Sequence, residues 1–224
     1  MSAKSIAIDG PAGAGKSTIA KKLAAEAGLI YVDTGAMYRT LGLACLRAGA
    51  DTTVCEQVLP VMEKTEISLD YIDGTQHVFL NGEDVSSEIR REEVSHLAST
   101  VSVHPPVRER LVKMQQELAA SRAVVMDGRD IGTVVLPNAF LKIFLTASVE
   151  ERARRRKKDY EAMGKDVPLS EVEAEIRERD DRDRNRPVGP LKQAEDAVRV
   201  DTTGHSIEEV CDIIRKLYRE KAGE

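Results

Sequence analysis

The stretch IDGPAGAGKST, residues 8–18, decides the fold of this chain. From Gly10 to Ser17 it follows the pattern Gly-x-x-x-x-Gly-Lys-Ser. This pattern indicates a functional loop only when a strand precedes it and a helix follows it. The apolar run 5–10 predicts a buried strand before it. Apolar residues at helical spacing predict a helix over 16–27 after it, ended by Gly28. The alternative is a glycine-rich turn that only connects these two elements.

The residues of this loop have the chemistry of a phosphate site. Glycines let successive backbone N–H groups turn toward an anion, and the N-terminus of the following helix adds partial positive charge. Lys16 can reach the β- and γ-phosphates, and the Ser17 hydroxyl can bind Mg²⁺. We therefore predict an ATP site with Mg²⁺, formed by Gly10, Pro11, Ala12, Gly13, Ala14, Gly15, Lys16, Ser17 and Thr18.

Composition excludes several classes of protein. The 224 residues are 42% hydrophobic and carry a formal net charge of −5, whereas proteins that bind duplex DNA by charge are basic. The three cysteines form no C-x-x-C pair and the histidines are scattered, so no disulfide framework or structural zinc site is expected. The first residues lack an apolar run typical of a signal peptide. We expect a cytoplasmic monomer without nucleic-acid or membrane partners.

Strands and helices alternate along most of the sequence, which predicts a parallel sheet covered by helices on both faces. The runs 66–72 and 75–80 are different. Asp73-Gly74 separates them and Asn81-Gly82 follows, and such pairs are typical of hairpin turns. We predict a small antiparallel insertion here. The predicted division is a core of 1–61, 122–150 and 187–224, an insertion of 62–121, and a lid with a charged helix over 151–186; the family resemblance given below implies that the insertion binds an acceptor.

A triphosphate site alone leaves two classes open, a nucleotide switch or motor and a small-molecule kinase. The chain is short for effector domains, and the base-reading motif N-K-x-D is absent, which favours the kinase. Asp127 ends the apolar strand VVMD, as an acid that orients hydrated Mg²⁺ would, although such strands are common. Arg129 and Asp130 follow at the carboxyl edge of the sheet, where ligands bind. Arg39 lies one turn after Gly35, but an exposed helix arginine is the alternative.

Two charged segments follow in the last third of the sequence. In a helix, Arg179, Asp183 and Arg186 lie at i, i+4 and i+7 and therefore share one face. The alternative is a solvated helix with surface ion pairs. The run Arg152 to Lys157 contains five bases and no acids, and a glycine-containing loop comes after it. This pattern is typical of a lid that covers phosphates.

Four motifs together resemble the cytidylate kinase family of bacteria, in the nucleoside monophosphate kinase group. They are GPAGAGKST, VDTGAMYR, MDGRDIGTVV and RERDDRDRNRPVGPL, and the resemblance covers about residues 5–219. It implies the α/β P-loop NTPase fold, with a parallel sheet flanked by helices, an inserted small antiparallel β-containing acceptor-binding domain, and a short lid. It also implies phosphoryl transfer from ATP to CMP or dCMP, giving CDP or dCDP, with Mg²⁺.

The resemblance implies roles for individual residues. Arg39 and Arg129 would hold the acceptor phosphate, Arg179 and Asp183 would lie near the acceptor's sugar and phosphate, and Thr34 stands where the family carries Ser or Thr. The base would be read by Ser99, Arg108, Asp130 and Arg186. Lys16, Asp127 and Arg129 would act in catalysis, Ser17 and Asp127 would hold the metal, and Arg155 and Arg156 would contact ATP from the lid. An ordinary helix serine and a surface base are the alternatives for Ser99 and Arg108.

Cytosine and uracil differ at the position that an aspartate would read. Cytosine presents an amino donor at N4, which a carboxylate accepts, whereas uracil presents a carbonyl that repels it. Two other functions stay open at this point. One is a kinase of the same fold with another small acceptor, and the other is an ATP-binding regulatory protein without transfer activity.

Overall fold

The computed structural model describes residues 5–72 and 74–223, so Asp73 of the predicted hairpin turn lies outside the described residues. The strands are β1 (Ile6–Asp9), β2 (Ile30–Asp33), β3 (Ile67–Ile72), β4 (Thr75–Leu80), β5 (Glu83–Asp84), β6 (Val124–Gly128), β7 (Leu141–Thr146) and β8 (Val198–Asp201). The α-helices are α1 (Lys16–Ala27), α2 (Thr34–Ala48), α3 (Cys55–Glu63), α4 (Glu92–Val101), α5 (Pro105–Ser121), α6 (Val149–Ala162), α7 (Leu169–Asn185) and α8 (Ile207–Ala222).

The larger sheet has the strand order β2-β6-β1-β7-β8. Strand β1 lies at its centre and pairs in parallel with β6 on one side and β7 on the other, and β7 pairs in parallel with β8. All four residues of β1 are buried, as expected for a strand covered on both faces. The sheet with its helices confirms the predicted α/β P-loop NTPase fold.

Gly10 follows β1 in a conformation that other residues rarely adopt. Its φ is +149°, and a Cβ atom built on it would lie 2.1 Å from the carbonyl oxygen of Leu145 in β7. Only glycine therefore fits where the chain leaves the central strand. Helix α1 then begins at Lys16 and ends before Gly28, whose φ of 64° is left-handed, as the sequence predicts.

Helices α1 and α8 cover the sheet and complete its core. Apolar residues of β1, β7, α1 and α8 form one buried cluster that includes Ile8, Leu23, Ile143 and Ile214. A smaller cluster joins α6 to α7 around Tyr160 and Ile176. Among the helices in 5–72 and 74–223, none is long and apolar enough to cross a membrane.

The segment 32–120 has its own sheet and its own core. Strands β3, β4 and β5 form an antiparallel sheet, which confirms the predicted hairpin, and the two-residue strand β5 extends it. Helix α2 packs on α4, where the absent side chain of Gly42 lets Leu97 approach within 3.0 Å of a Cβ position. The buried cluster of this segment draws only on residues between Ala36 and Met114.

Contacts divide the chain into two compact units. One, which we call the sheet unit, contains the described residues up to Tyr31 together with those from Ser121 onward; the other, the middle unit, is Val32–Ala120. Helix α2 thus belongs with the insertion, because its apolar face packs in the core of the middle unit. The predicted division into a core, an acceptor domain and a lid stays a prediction.

Candidate active site

The phosphate-binding loop joins β1 to α1 within the sheet unit. Gly13 and Gly15 have positive φ values of 76° and 86°, which allows the tight turn that leads into the helix. Lys16 is buried, and its ammonium donates a 2.7 Å hydrogen bond to the carbonyl oxygen of Pro11. The side chain therefore folds back over the loop, where it can contact phosphates that the loop binds.

The electrostatic surroundings of Lys16 favour an anion. Burial, followed by the positive charge of Arg129, lowers the pKa of Lys16 to about 7. Arg179 acts in the same direction, while Asp127 and Asp183 oppose it. A phosphate group beside Lys16 would stabilise the charged ammonium and reverse this shift, since opposite charges favour each other's ionised forms.

Asp127 lies where the sequence predicts a metal-orienting acid. Its carboxylate accepts a 2.9 Å hydrogen bond from the Ser17 hydroxyl and a 2.8 Å hydrogen bond from the Tyr31 hydroxyl. Hydroxyl and carboxylate oxygens are the ligands that Mg²⁺ prefers, so this pair fits the ion. Within 5–72 and 74–223 no cluster of three or more acidic, His or Cys side chains could hold a metal. Mg²⁺ in nucleotide sites commonly binds through one or two protein ligands and substrate phosphates.

A cavity of about 370 Å³ opens beside the loop. Its walls come from the loop and α1 on one side and from α6 and α7 on the other. The residues that line it are Ala12, Gly13, Gly15, Lys16, Ser17, Thr18, Arg155, Arg156, Asp159, Glu175, Ile176 and Arg179. Most of the predicted ATP-binding residues, including both lid arginines, thus lie together around one space.

Arg152 has a different environment from the other bases of its run. Its guanidinium forms two hydrogen bonds, of 2.8 and 3.1 Å, with the Asp180 carboxylate, and both side chains are almost completely buried. It also donates to the carbonyl oxygens of Ala12 and Ala147. Arg152 therefore joins α6 to α7 and to the phosphate-binding loop. The phosphate-covering role of the basic run that contains it stays a prediction.

The predicted acceptor residues of the sheet unit form two buried ion pairs. Arg129 donates from Nε to the Asp183 carboxylate at 2.7 Å, and Arg186 lies 3.4 Å from Asp130. Burial would raise the pKa of Asp183, but Arg129 and Arg179 lower it overall, so the carboxylate is ionised. The solvated-helix alternative for 179–186 therefore fails for Asp183 and Arg186.

The middle unit contains the other predicted acceptor residues. Thr34 begins α2, and Arg39 on the same helix donates a 2.7 Å hydrogen bond to Asp33. The Nε atom of Arg39 is buried and has no hydrogen-bond partner among the described residues. Ser99 on α4 is buried. Arg108 on α5 is only 1% exposed and lies 5.6 Å from the Tyr38 ring centre, which excludes a surface base.

Asp9 is a buried acid beside this site that the sequence reasoning did not identify. Its two carboxylate oxygens accept hydrogen bonds from the backbone N–H groups of Ile131 and Gly132, each 2.7 Å long. Burial raises the pKa of Asp9 to about 6, although these two hydrogen bonds act in the opposite direction.

Replacing Asp9 with Asn is expected to change how stability depends on pH. The folded pKa of about 6 lies above the ordinary value of 3.8, so the folded state binds the proton more tightly than the unfolded state. The contribution of Asp9 to stability is therefore greatest below pH 3.8 and falls as pH rises to about 6. We subtract the free energy of unfolding of Asp9→Asn from that of the wild type. This difference should fall by roughly 3 kcal/mol as the pH rises across this window. A difference that increases with pH would contradict the raised pKa.

The missed residues share one property, which is that their partners are distant in the sequence. Asp9 precedes the glycine-rich pattern, and an acid before that pattern is a weak signal. Tyr31 lies in an apolar strand and gives no signal of its contact with Asp127. Arg152 lies in a basic run, one helical turn before Arg156, and nothing in that run indicates that its partner, Asp180, lies on another helix.

The whole chain can be compared with known proteins. A family model described as cytidylate kinase matches residues 6–220. A cytidylate kinase from Caldicellulosiruptor bescii is 53% identical over 213 residues, which cover 95% of this chain and 94% of that protein. A cytidylate kinase from Bacillus subtilis is 50% identical over 218 residues and 97% of each chain.

One solved structure supports the fold alone. An uncharacterized protein from Eubacterium ventriosum aligns with 95% of this chain and 96% of its own, with a TM-score of 0.53 and 13% identity. The family match is much stronger. It spans residues 6–220, which include all four motifs, and the two cytidylate kinases are 53% and 50% identical to this chain. The chain therefore belongs to the cytidylate kinase family.

Proposed function

We propose that this protein transfers the γ-phosphoryl group of ATP to CMP or dCMP, giving ADP and CDP or dCDP. The observation that carries the proposal is the pair of buried contacts Arg129–Asp183 and Asp130–Arg186, in the same unit as the phosphate-binding loop. Buried charges carry a desolvation cost even when paired, and buried titratable groups cluster at functional sites. The relatives named cytidylate kinase, about half identical in sequence, support the same reaction.

The donor would bind in the cavity beside the phosphate-binding loop. Backbone N–H groups of the loop and the Lys16 ammonium would hold its phosphates, and Arg155 and Arg156 would contact them from α6. Ser17 and Asp127 would hold Mg²⁺. When bound, this ion would neutralise part of the negative charge on the phosphates.

The acceptor would bind through arginines and a base-reading pair. Arg39 and Arg129 would hold its phosphate, with Arg179 and Asp183 close to its sugar and phosphate and Thr34 nearby. Asp130 would accept a hydrogen bond from the N4 amino group of cytosine. Arg186, Ser99 and Arg108 would donate to N3 and O2. These assignments combine the buried contacts within each unit with the roles that the family resemblance implies.

Transfer would then need no covalent intermediate on the protein. The two nucleotides react in line, and the protein holds them in that orientation. Lys16 and the arginines would stabilise the charge that spreads over the phosphoryl oxygens as the bond to ADP breaks. Closure of a lid would exclude water, which would otherwise accept the phosphoryl group.

We propose that the enzyme acts as a cytoplasmic monomer.

An acceptor panel tests the proposal directly. ADP formation from ATP and Mg²⁺ is measured with CMP, dCMP, UMP, AMP and GMP, and without acceptor. We expect rapid ADP formation with CMP and dCMP, little without an acceptor, and none with EDTA. Faster ADP formation with UMP, AMP or GMP than with CMP and dCMP would indicate another kinase of the same fold. ATP binding without any acceptor-dependent turnover would indicate a regulatory protein.

Asp130→Ala tests the assignment of the base-reading residue. Because Asp130 would accept from the cytosine amino group, its loss should lower kcat/KM for CMP roughly tenfold to a hundredfold more than for UMP. Both acceptors are measured on one preparation, so that any loss of folded enzyme cancels in the ratio. Asp212→Ala, on the exposed side of α8, serves as the control. An equal loss with CMP and UMP would remove Asp130 from this role.

A further inference from the structure

Asp9 connects the central strand, β1, to the loop that follows the neighbouring strand, β6. In the parallel pairing of β1 with β6, Asp9 lies opposite Gly128, the last residue of β6. Its side chain therefore lies at the same sheet edge as the loop that follows β6. Asp9 is 4% exposed, and its carboxylate accepts hydrogen bonds from two consecutive backbone N–H groups of that loop, at Ile131 and Gly132.

Those two N–H groups begin a short π-helical turn, Ile131–Val135. Within the turn, Val135 N–H bonds the Asp130 carbonyl at 3.2 Å, and Leu136 N–H bonds the Ile131 carbonyl at 2.6 Å. The first N–H groups of any helical turn have no partner inside it. Asp9 supplies both partners from another strand, and so it fixes the orientation of the peptide groups that directly follow Asp130.

Gly132 has little free space around its Cα atom. A Cβ atom on Gly132 would lie 3.3 Å from the Asp9 carboxylate and 3.2 Å from the Lys142 side chain. Lys142 is itself held by a 2.8 Å hydrogen bond to Asp196. Neither neighbour is free to withdraw without losing a polar contact. A side chain at position 132 would therefore crowd the contact between Asp9 and the loop.

We propose that Asp9 is a positioning residue for the acceptor nucleotide. Its carboxylate holds the loop 128–132 and thereby sets where the side chains of Arg129 and Asp130 point. Its backbone leads directly into Gly10 and the phosphate-binding loop. One residue thus fixes the donor loop through the main chain and the acceptor loop through the side chain. The inference rests on the proposed function, in which Arg129 and Asp130 bind CMP.

Asp9→Asn is the first test, because Asn has the same shape but only one acceptor oxygen. Its amide NH₂ would face the second N–H group, and two donors cannot bond each other. We expect KM for CMP to increase on the order of tenfold and the CMP-to-UMP ratio of kcat/KM to decrease. KM for ATP should stay within about twofold, because the phosphate-binding loop keeps its main-chain geometry.

Gly132→Ala tests the same contact from the loop side while keeping every hydrogen-bonding group. The added Cβ would lie 3.3 Å from the Asp9 carboxylate and 3.2 Å from the Lys142 side chain, so these neighbours must shift by a few tenths of an ångström. We therefore expect KM for CMP to increase, but by less than in Asp9→Asn. The double variant should be less impaired than the sum of the two changes, since both act on one contact. Asp51→Asn is the matched control. That exposed aspartate also accepts a backbone N–H group, from Thr53 at 2.8 Å, and should leave all three parameters unchanged.

Amide hydrogen exchange without nucleotides separates this inference from the proposed function. Exchange at 131 and 132 should be faster in both variants than in the wild type, whatever the acceptor of the enzyme is. Unchanged exchange there would overturn the inference even if the wild type phosphorylates CMP. A lower melting temperature with unchanged KM for CMP would also overturn it, because a purely structural residue behaves in that way. Faster exchange in the two variants, together with a wild type that does not phosphorylate CMP, would support the inference on Asp9 and contradict the proposed function.

Discussion

Replacing Lys16 with Ala is expected to lower kcat with ATP and CMP by roughly 10³-fold. The Lys16 ammonium is buried beside the loop carbonyl of Pro11, where burial and Arg129 lower its pKa to about 7. Negative charge on the transferring phosphoryl group would stabilise the charged ammonium most strongly as that group leaves ADP. Arg155, Arg156 and Arg179 also line the cavity, but among the described residues that line it Lys16 is the one base that belongs to the phosphate-binding loop.

Lys22→Ala provides the control on the same helix. Lys22 is partly exposed and pairs with Glu208 at the surface of α8, so its loss should change kcat less than twofold. Rates are measured as CMP-dependent ADP formation at saturating ATP, and ATP binding is measured separately. A Lys16→Ala enzyme with a near-normal rate would refute the assignment of the phosphate-binding loop.

Asp180→Ala is expected to destabilise the protein by about 3–5 kcal/mol. The substitution leaves the Arg152 guanidinium buried without its carboxylate, and removing one partner of a buried ion pair costs more than the pair contributes. Arg152 also bonds the Ala12 carbonyl, so the phosphate-binding loop should become less ordered. We therefore expect weaker ATP binding together with the lower free energy of unfolding.

Asp181→Ala is the matched control for this change. Asp181 is the next residue of α7, but its side chain is 73% exposed and its contact with Arg184 is 3.9 Å long. Its loss should change the free energy of unfolding by less than about 0.5 kcal/mol. The double variant Arg152→Met/Asp180→Leu should recover part of the loss, because it leaves no buried charge. Equal stability of the Asp180 and Asp181 variants in chemical denaturation would contradict the role of the buried pair.

Local patterns were sufficient to predict most of the fold. The strand before the phosphate-binding loop, helix α1 and the hairpin of β3 and β4 each depend on the spacing of apolar residues and on glycine, which act within a few residues. Helix α3 escaped prediction because Pro60 lies inside a nine-residue segment, and proline usually interrupts helices. Strand β5 has two residues and depends on its pairing with β4.

The candidate site was predictable where motifs carry it and not where distant residues meet. Lys16, Ser17 and Asp127 follow from a spacing that has a chemical reason, and the structure brings Ser17 and Asp127 into contact. The residue pairs Asp9 with Gly132 and Arg152 with Asp180 join elements that are far apart in the chain. Sequence patterns within one element contain no information on such pairs. Tertiary packing decides whether each side chain is buried and which residue it contacts.

The central place of β1 in the sheet has a consequence for synthesis on the ribosome. Both neighbours of β1, strands β6 and β7, are translated after the whole middle unit, whose buried cluster comes from one continuous segment. At about 5–20 residues per second, the nascent phosphate-binding strand waits on the order of ten seconds for its partners. The middle unit can therefore fold first, and a ribosome that stalls before β6 would leave an exposed apolar strand for chaperones to bind.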